Sequence, residues 1–418
     1  MKILWIVNMV FPVLAQKLNI ATGVSGGWMF DLSRGISNSE DIELAIAAVY
    51  AGKEFQSCKI DNITYYLLPG GSKKMMFYSK SLVPYWRKIR DEFKPDIIHL
   101  HGTEYSHGLV YMNEFPEDKY LLTIQGIIAP IQREMHSGLT LRDKCTTTLN
   151  EIFKLNGMIP KEYLFKKNAD YEEQILKKVR YVTGRTFWDK AMMQAVNSKL
   201  EYFRCNYNLR QEFYDAPTWN YDECEKHVIY GGTSVQTPFK GGHILIKALS
   251  VVKKTYSDVK LKLFMPGSAN GEMVVNSGYK KYIKKLINKY DLWDNIEFIP
   301  AQNAEGVINH MNNSHLIVVA SAMENASSTL REAMHIGLPA IASYRGGMTE
   351  LINDGVDGFF FDYPEYNYLA ARIIELFNSR ELCEKFSDNS KKKATVWHDR
   401  KKNTKDIIEV YDYILNNY

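Results

Sequence analysis

The feature that most constrains this chain is an alternation, along most of its length, of short apolar β-branched runs with segments of helical period. Strands buried on both faces read as continuous apolar runs, and helices return the chain to a parallel neighbour. The alternation therefore predicts parallel α/β architecture. In the first half the strand candidates are KILWIVN from Lys2, ELAIAAV from Glu43, ITYYLL from Ile63, DIIHL from Asp96 and YLLTI from Tyr120. The second half offers HVIY from His227, KLKLFM from Lys260, NIEFI from Asn295, HLIVVA from His315, PAIAS from Pro339 and GFFF from Gly358. Each of the first five precedes a helix-period segment. A helix beginning near Gly26 puts Trp28, Leu32 and Ile36 on one face.

At 418 residues the chain is too long for a single core. A polar, aromatic, poorly periodic stretch from Asn206 to Lys226 separates the two strand sets and reads as a linker. The expected organisation is a first domain over 1–205, a linker over 206–226 and a second domain over 227–402. An amphipathic helix over 403–418 follows, with Ile407, Tyr411 and Ile414 on one stripe. Two doubly wound, Rossmann-like domains facing a central cleft is the economical reading.

Composition narrows the function. A 45% hydrophobic and 24% charged content is that of a soluble globular protein, and a net charge of +4 makes no case for a nucleic-acid partner. The five cysteines are scattered, odd in number and without a CxxC, so they read as small core residues of a reduced, cytoplasmic protein. The opening MKILWIVNMVFPVLAQK resembles a signal peptide, but Asn8 and Pro12 interrupt its apolar run; residues 2–8 are expected to be a buried first strand.

The stretch SAMENASSTLREAMHIGLPAI, residues 321–341, carries the chemistry. HLIVVA before it is a strand, Ser327 or Ser328 suits an N-cap, and Gly337 and Pro339 end the helix. The loop 322–328 thus lies beyond a strand's carboxyl end, where ligands bind in open α/β sheets, and the helix N-terminus suits a phosphate. A carboxylate beside an anion would repel it, so Glu324 should address hydroxyls. Glu332, about a turn into the helix, is placed for the ribose of a nucleotide whose phosphates cap that helix. A sugar nucleotide has this distribution of charge. On spacing alone both glutamates could equally be solvated surface charges.

Other segments tip that balance. YGGTSVQTPFKGGHILIKAL, residues 230–249, has a glycine-rich loop with Lys240 just before a helix, where a lysine can meet a diphosphate. SYRGGMTELINDGVDGFFF puts two glycines at a strand-to-helix turn, allowing close backbone approach, and TGVSGGWMF puts Gly26 and Gly27 at another helix start. No GxGxxG directly follows a strand, which argues against a dinucleotide dehydrogenase.

Taken together, these segments resemble the retaining glycosyltransferases of family 4, of the bacterial polysaccharide and glycan-assembly type, which have the GT-B fold. Glu324 to Glu332 matches the family's E-x7-E motif, within S-x-x-E…E-A-x-x-x-G-x-P and then R-G-G-x-x-E-L-I-x-D-G-x-x-G through residue 358. The likeness extends to Gly26-Gly27, DIIHLHG, LLTIQG, VTGRTFWDKA and Lys240-Gly241. It implies a nucleotide-sugar donor, a UDP-sugar, held by the second domain, and a glycan or lipid-linked acceptor held by the first. It implies that Glu324 contacts the donor sugar and Glu332 the ribose. Amides of Asn325, Ala326, Ser327 and Ser328, with Gly27 from the other domain, would face diphosphate and sugar. The C-terminal helix is expected to cross back to the first domain.

Two departures stand out. Where the family commonly has an arginine after the glycine of the preceding strand, this chain has Gly232. Diphosphate charge must then rest on Lys240, amides, and Ser234 or another cation such as Arg185. Where the family commonly has a histidine near the donor sugar, this chain has Gln125, which hydrogen-bonds but does not titrate. His101, at a strand end in HLHG, is either a packed core histidine or a cleft-facing catalytic one.

The resemblance implies front-face transfer with retention, with the leaving diphosphate accepting the acceptor's proton. Catalysis then falls to Lys240 and helix amides, with no cofactor beyond the donor. No DxD stands in a metal-binding context, so no metal is expected. Glu324 as covalent nucleophile is the sharper alternative. The rivals are a GT-B phosphorylase or epimerase, and a catalytically inactive nucleotide-sugar-binding scaffold. Finally, KKMMFYSKSLVPYWRKIR, residues 73–90, interleaves six basic residues with Met, Phe, Tyr and Trp. It reads as an ordinary amphipathic cover of the first sheet, or as a peripheral contact with the inner membrane or a lipid-diphosphate acceptor.

Overall fold

The computed structural model describes residues 1–20, 27–232, 234–265, 267–268 and 271–418. The chain forms two compact units, the first of Met1–Ala129, Lys166–Gln211 and Trp397–Tyr418, the second of Pro130–Phe165 and Glu212–Val396.

The first unit is built on strands β1 (Lys2–Val7), β2 (Glu43–Tyr50), β3 (Gln56–Ile60), β4 (Ile63–Pro69), β5 (Ile97–His101), β6 (Tyr120–Thr123), β7 (Tyr181–Gly184) and β8 (Glu201–Arg204). Their order is β3-β4-β2-β1-β5-β6-β7-β8, parallel throughout except for the antiparallel β3–β4 pair. Alternate residues of β1 serve opposite faces. Leu4 and Ile6 pack with Trp86 and Ile89 of the Val83–Phe93 helix. Ile3, Trp5 and Val7 pack with Leu32 and Ile36 of the Gly27–Ser37 helix and with Ile407 and Tyr411 of the Arg400–Asn417 helix. A strand covered on both sides has no polar face to display, hence the unbroken apolar run. The Tyr411 hydroxyl accepts the Trp5 indole N–H at 2.9 Å and lies 2.7 Å from His99 Nδ1, which ties the C-terminal helix to the first sheet.

The second unit contains β9 (Val228–Gly232), β10 (Lys260–Phe264), β11 (Ile296–Ile299), β12 (Leu316–Val319), β13 (Ala340–Ser343) and β14 (Phe359–Phe361), all parallel in the order β11-β10-β9-β12-β13-β14. In each sheet the strand order reverses once, between β1 and β5 and between β9 and β12. Those switch points open the crevices in which such sheets bind ligands.

The structure departs from the sequence expectations in three places. Strands β3, β7 and β8 are additions to the expected set; β3 and β8 are edge strands with polar, half-exposed residues, and β7 is four residues long. The chain leaves β13 through a 3-10 turn, Gly346–Glu350, rather than a helix. Residues 130–165 cluster with the second unit, against the expected first domain of 1–205: Glu151 accepts the Gly278 amide at 2.6 Å and Tyr363 donates to the Ser137 carbonyl at 2.8 Å. The chain passes from the first unit to the second within 206–226, where a linker is expected, and Trp219 in it is buried, donating its indole N–H to the Ser314 carbonyl at 2.8 Å. In 73–90, Trp86 and Ile89 are fully buried, and Met75, Tyr78, Val83 and Tyr85 pack against the same core. The amphipathic-cover reading of that stretch is the one the structure contains.

Candidate active site

In the second unit three loops leave the carboxyl ends of β9, β12 and β13 and lock together. Ala322 donates its amide to the Phe239 carbonyl at 2.7 Å, and Gly347 donates to the Glu324 carbonyl at 3.0 Å. Glycine is what permits this closeness. A Cβ at Gly241 would sit 1.7 Å from the Ala320 carbonyl oxygen, and one at Gly346 would sit 2.1 Å from that of Glu324. The close approach expected of the Gly346-Gly347 pair is thus directed at the Glu324 loop.

This lock brings Lys240 and Glu324 together at the switch point. The Lys240 ammonium and the Glu324 carboxylate form an ion pair, and Ser321 Oγ donates to the same carboxylate oxygen at 2.9 Å. Both side chains keep some solvent access, so the pair can be opened from outside. Beyond it, the Ser327 hydroxyl caps the Ser328–Ile336 helix by accepting the Leu330 amide at 3.3 Å, and left-handed Gly337 ends that helix. Asn325 and Ser327 are buried, Ala326 half-buried and Ser328 exposed. Glu332 lies in the helix's second turn at 8% exposure, so it is not a solvated surface charge.

Gly232 ends β9 with φ of +52°. An arginine there would have to adopt the left-handed conformation, so the exit geometry of β9 explains the glycine. The Ser234 hydroxyl is engaged with the Gly231 carbonyl.

The remaining sequence-derived residues belong to the first unit. Gly26 lies outside the described residues; Gly27 opens the Gly27–Ser37 helix. His101 ends β5 at 1% exposure, with ring centroids 4.2 Å from Trp5 and 4.0 Å from His99. Neither ring nitrogen has a hydrogen-bond partner among the described residues. Burial, with the charges of His99 and Arg185, holds its pKa well below the usual histidine value. This burial is that of the packed-core reading. Arg185 is buried with its guanidinium 3.0 Å from the centroid of Tyr207, which stacks on Trp28. Gln125 is half-buried after β6, with Nε2 3.7 Å from Met29 Sδ.

Sequence reading passes over Glu104. It lies just beyond β5 at the first sheet's switch point and accepts from Asn8 Nδ2 at 2.9 Å and from the Gly126 amide at 2.8 Å. One carboxylate thereby joins the loops after β1, β5 and β6. Burial, opposed by those hydrogen bonds and reinforced by the charge of Glu172, pushes its pKa up to about 7. Glu172 is itself buried, accepting from the Thr103 hydroxyl at 2.6 Å and from the amides of Ile128 and Ala129. A carboxylate four residues past the end of a predicted strand is the signal that could have found it.

Residues 220–393 match the family model described as glycosyl transferases group 1. The chain is 27% identical to spore coat protein SA of Bacillus subtilis over 175 residues, 41% of this chain and 45% of that protein. It is 24% identical to the D-inositol 3-phosphate glycosyltransferase of Paenarthrobacter aurescens over 158 residues, 38% of this chain and 37% of that one. These matches thus span less than half the length of either relative. Over its full length the chain is similar in fold to the sucrose-phosphate synthase of Thermosynechococcus elongatus (TM-score 0.75, 14% identity, all of both chains). It is likewise similar to HepE of Anabaena in complex with UDP-glucose (TM-score 0.68, 16% identity, 99% of this chain and all of that one). Two doubly wound units with these neighbours make the fold GT-B, and residues 220–393 match the family of glycosyl transferases group 1.

Proposed function

We propose that the chain is a family-4 retaining glycosyltransferase that moves a sugar from a UDP-sugar to a glycan or lipid-linked acceptor by front-face displacement. The observation that carries this reading is the Lys240–Glu324 pair, set at the second sheet's switch point beside the capped start of the Ser328–Ile336 helix. A diphosphate draws Lys240 from Glu324, because two phosphate charges and the helix amides outweigh one carboxylate. Glu324, released, accepts hydrogen bonds from donor-sugar hydroxyls, while Glu332 accepts from the ribose. HepE, a neighbour in fold, holds UDP-glucose, which supports UDP as the nucleotide.

In the reaction, the bond between the anomeric carbon and the β-phosphate oxygen breaks. The acceptor oxygen bonds to that carbon on the same face, and its proton passes to the departing phosphate. The protein stabilises the growing phosphate charge through Lys240 and the amides of residues 325–328. Among the described residues no group of three or more His, Cys, Asp or Glu could hold a metal ion, and the reading needs none. Product NMR tests it: the donor's anomeric configuration should be preserved and activity should survive EDTA. An inverted product overturns the family-4 assignment, whereas a complete, metal-reversible loss in EDTA overturns only metal independence. The inactive-scaffold reading draws on Gly232, which supplies no cation; hydrolysis of the donor by the purified chain would exclude it.

A further inference from the structure

An ordinary surface helix turns its apolar stripe inward and its charges outward. The Leu149–Lys154 helix does the reverse. Its buried residue is Glu151, which accepts the Gly278 amide at 2.6 Å and caps its own helix through the Thr148 amide at 3.2 Å. Leu149, Ile152 and Phe153, at i, i+3 and i+4, face out, with Leu149 75% and Phe153 85% exposed. The outward display continues on both sides, through Leu141 before it and Leu155 and Ile159 after it. The segment is firmly seated. A Cβ at Gly278 would lie 1.9 Å from the Thr146 carbonyl oxygen, and the Tyr363 hydroxyl holds the Ser137 carbonyl at 2.8 Å. Single exposed apolar residues mean little, but a run of them on one anchored segment marks an interaction surface.

Charge selects the partner. Residues 140–165 contain four Lys and Arg against three acids, and each of the acids Asp143, Glu151 and Glu162 has a partner within the unit. Asp143 caps at Thr140, Glu151 holds Gly278, and Glu162 lies 3.0 Å from His136 Nδ1. Arg142 and Lys154 are exposed among the apolar residues. Apolar side chains flanked by uncompensated cations suit the boundary between acyl chains and anionic headgroups, where long basic side chains reach the phosphates. Among the described residues no helix is long and apolar enough to cross a membrane, so this contact is one of surface docking.

We propose that residues 141–163 form a docking surface for an anionic lipid bilayer, with Leu149, Ile152 and Phe153 entering the headgroup–acyl boundary and Arg142 and Lys154 meeting lipid phosphates. This moves the membrane contact expected at 73–90 to a segment of the second unit. It stands independently of the transferase reading. The test is co-sedimentation of the full chain with vesicles of phosphatidylcholine alone and of phosphatidylcholine mixed with phosphatidylglycerol. The chain should partition onto the mixed vesicles and release as salt rises. Combining Leu149→Ser with Phe153→Ser should lower partitioning about tenfold or more, and Lys154→Glu should lower it on the anionic vesicles alone. These side chains are exposed, so thermal unfolding and UDP binding by calorimetry should stay as in the unaltered chain. Failure of the unaltered chain to bind mixed vesicles, or undiminished binding by the double variant, overturns the proposal. So does a concentration-dependent dimer in light scattering that the double variant abolishes, which would assign the surface to a second copy of the chain.

Discussion

In the proposed reading Lys240 and Glu332 divide the donor's work, and each can be removed without touching the other's end of the ligand. Lys240→Ala should weaken nucleoside diphosphate binding and leave the bare nucleoside nearly unaffected, whereas Glu332→Ala should weaken both. Charge-assisted hydrogen bonds contribute roughly 1.5–3 kcal/mol, about ten- to a hundredfold in affinity, within reach of calorimetry. Equal weakening of both ligands by both variants would show that the phosphate and ribose ends are misassigned. Glu104 permits a different test. Its carboxyl is held near pKa 7 when folded and at the ordinary glutamate value when unfolded, so the native state keeps the proton more tightly. Its contribution to stability is present below about pH 4.5 and is lost as pH rises through about 7. Glu104→Gln should therefore gain stability relative to the native residue between pH 5 and pH 8, by roughly 1–3 kcal/mol in urea unfolding. A difference independent of pH would mean that Glu104 titrates normally.

The elements holding these residues depend on glycines whose need comes from contact more than from conformation. Gly241 (φ +75°) and Gly355 (φ +71°) share a left-handed backbone, but a Cβ at Gly241 meets the Ala320 carbonyl at 1.7 Å while one at Gly355 meets nothing within 4 Å. Gly355→Ala should cost about 1–2 kcal/mol, the conformational penalty alone. Gly241→Ala should cost about 3 kcal/mol or more, because two backbones must part, and should also weaken UDP binding as the Lys240 loop shifts. Similar losses in chemical denaturation would refute the locked-loop account. The sequence pattern is most legible at elements of this unit. The six apolar runs of the second half are its six strands, and Ser327 and Gly337 bound the helix that carries Glu332. Edge strands β3 and β8 escape because half-exposed strands need no apolar run. The reversed helix at 149–154 escapes because periodicity reveals an apolar face without saying which way it points.

Across the whole molecule, titration of buried histidines should make both units acid-labile. Burial lowers the pKa of His243 to about 3 and of His315 to about 4, and lowers those of His136, His310 and His335. Each stays neutral in the native state while its unfolded counterpart takes up a proton, so stability is lost as pH falls from about 6.5 toward the folded values. The first unit has the same liability in His99, His101 and His107, offset in part by the raised carboxyls of Asp31, Glu104 and Glu172, which gain stability as pH falls. Hydrogen exchange between pH 6.5 and pH 5 should show amides of both units losing protection as pH falls; protection independent of pH over that range would contradict this account. At this scale the sequence by itself determined that two parallel, doubly wound sheets would form, because runs buried on both faces can be satisfied in few other ways. It also determined that the Glu324–Glu332 segment would lie beyond a strand's carboxyl end, because caps and strand runs are local signals. Only tertiary structure decided that Lys240 pairs with Glu324, that His101 is buried against Trp5 and His99, and that Glu104 joins three loops. It also seated residues 130–165 on the second unit with their apolar side outward. Each of those depends on which residues distant in sequence meet across a switch point or a crossover, and local periodicity does not encode that meeting.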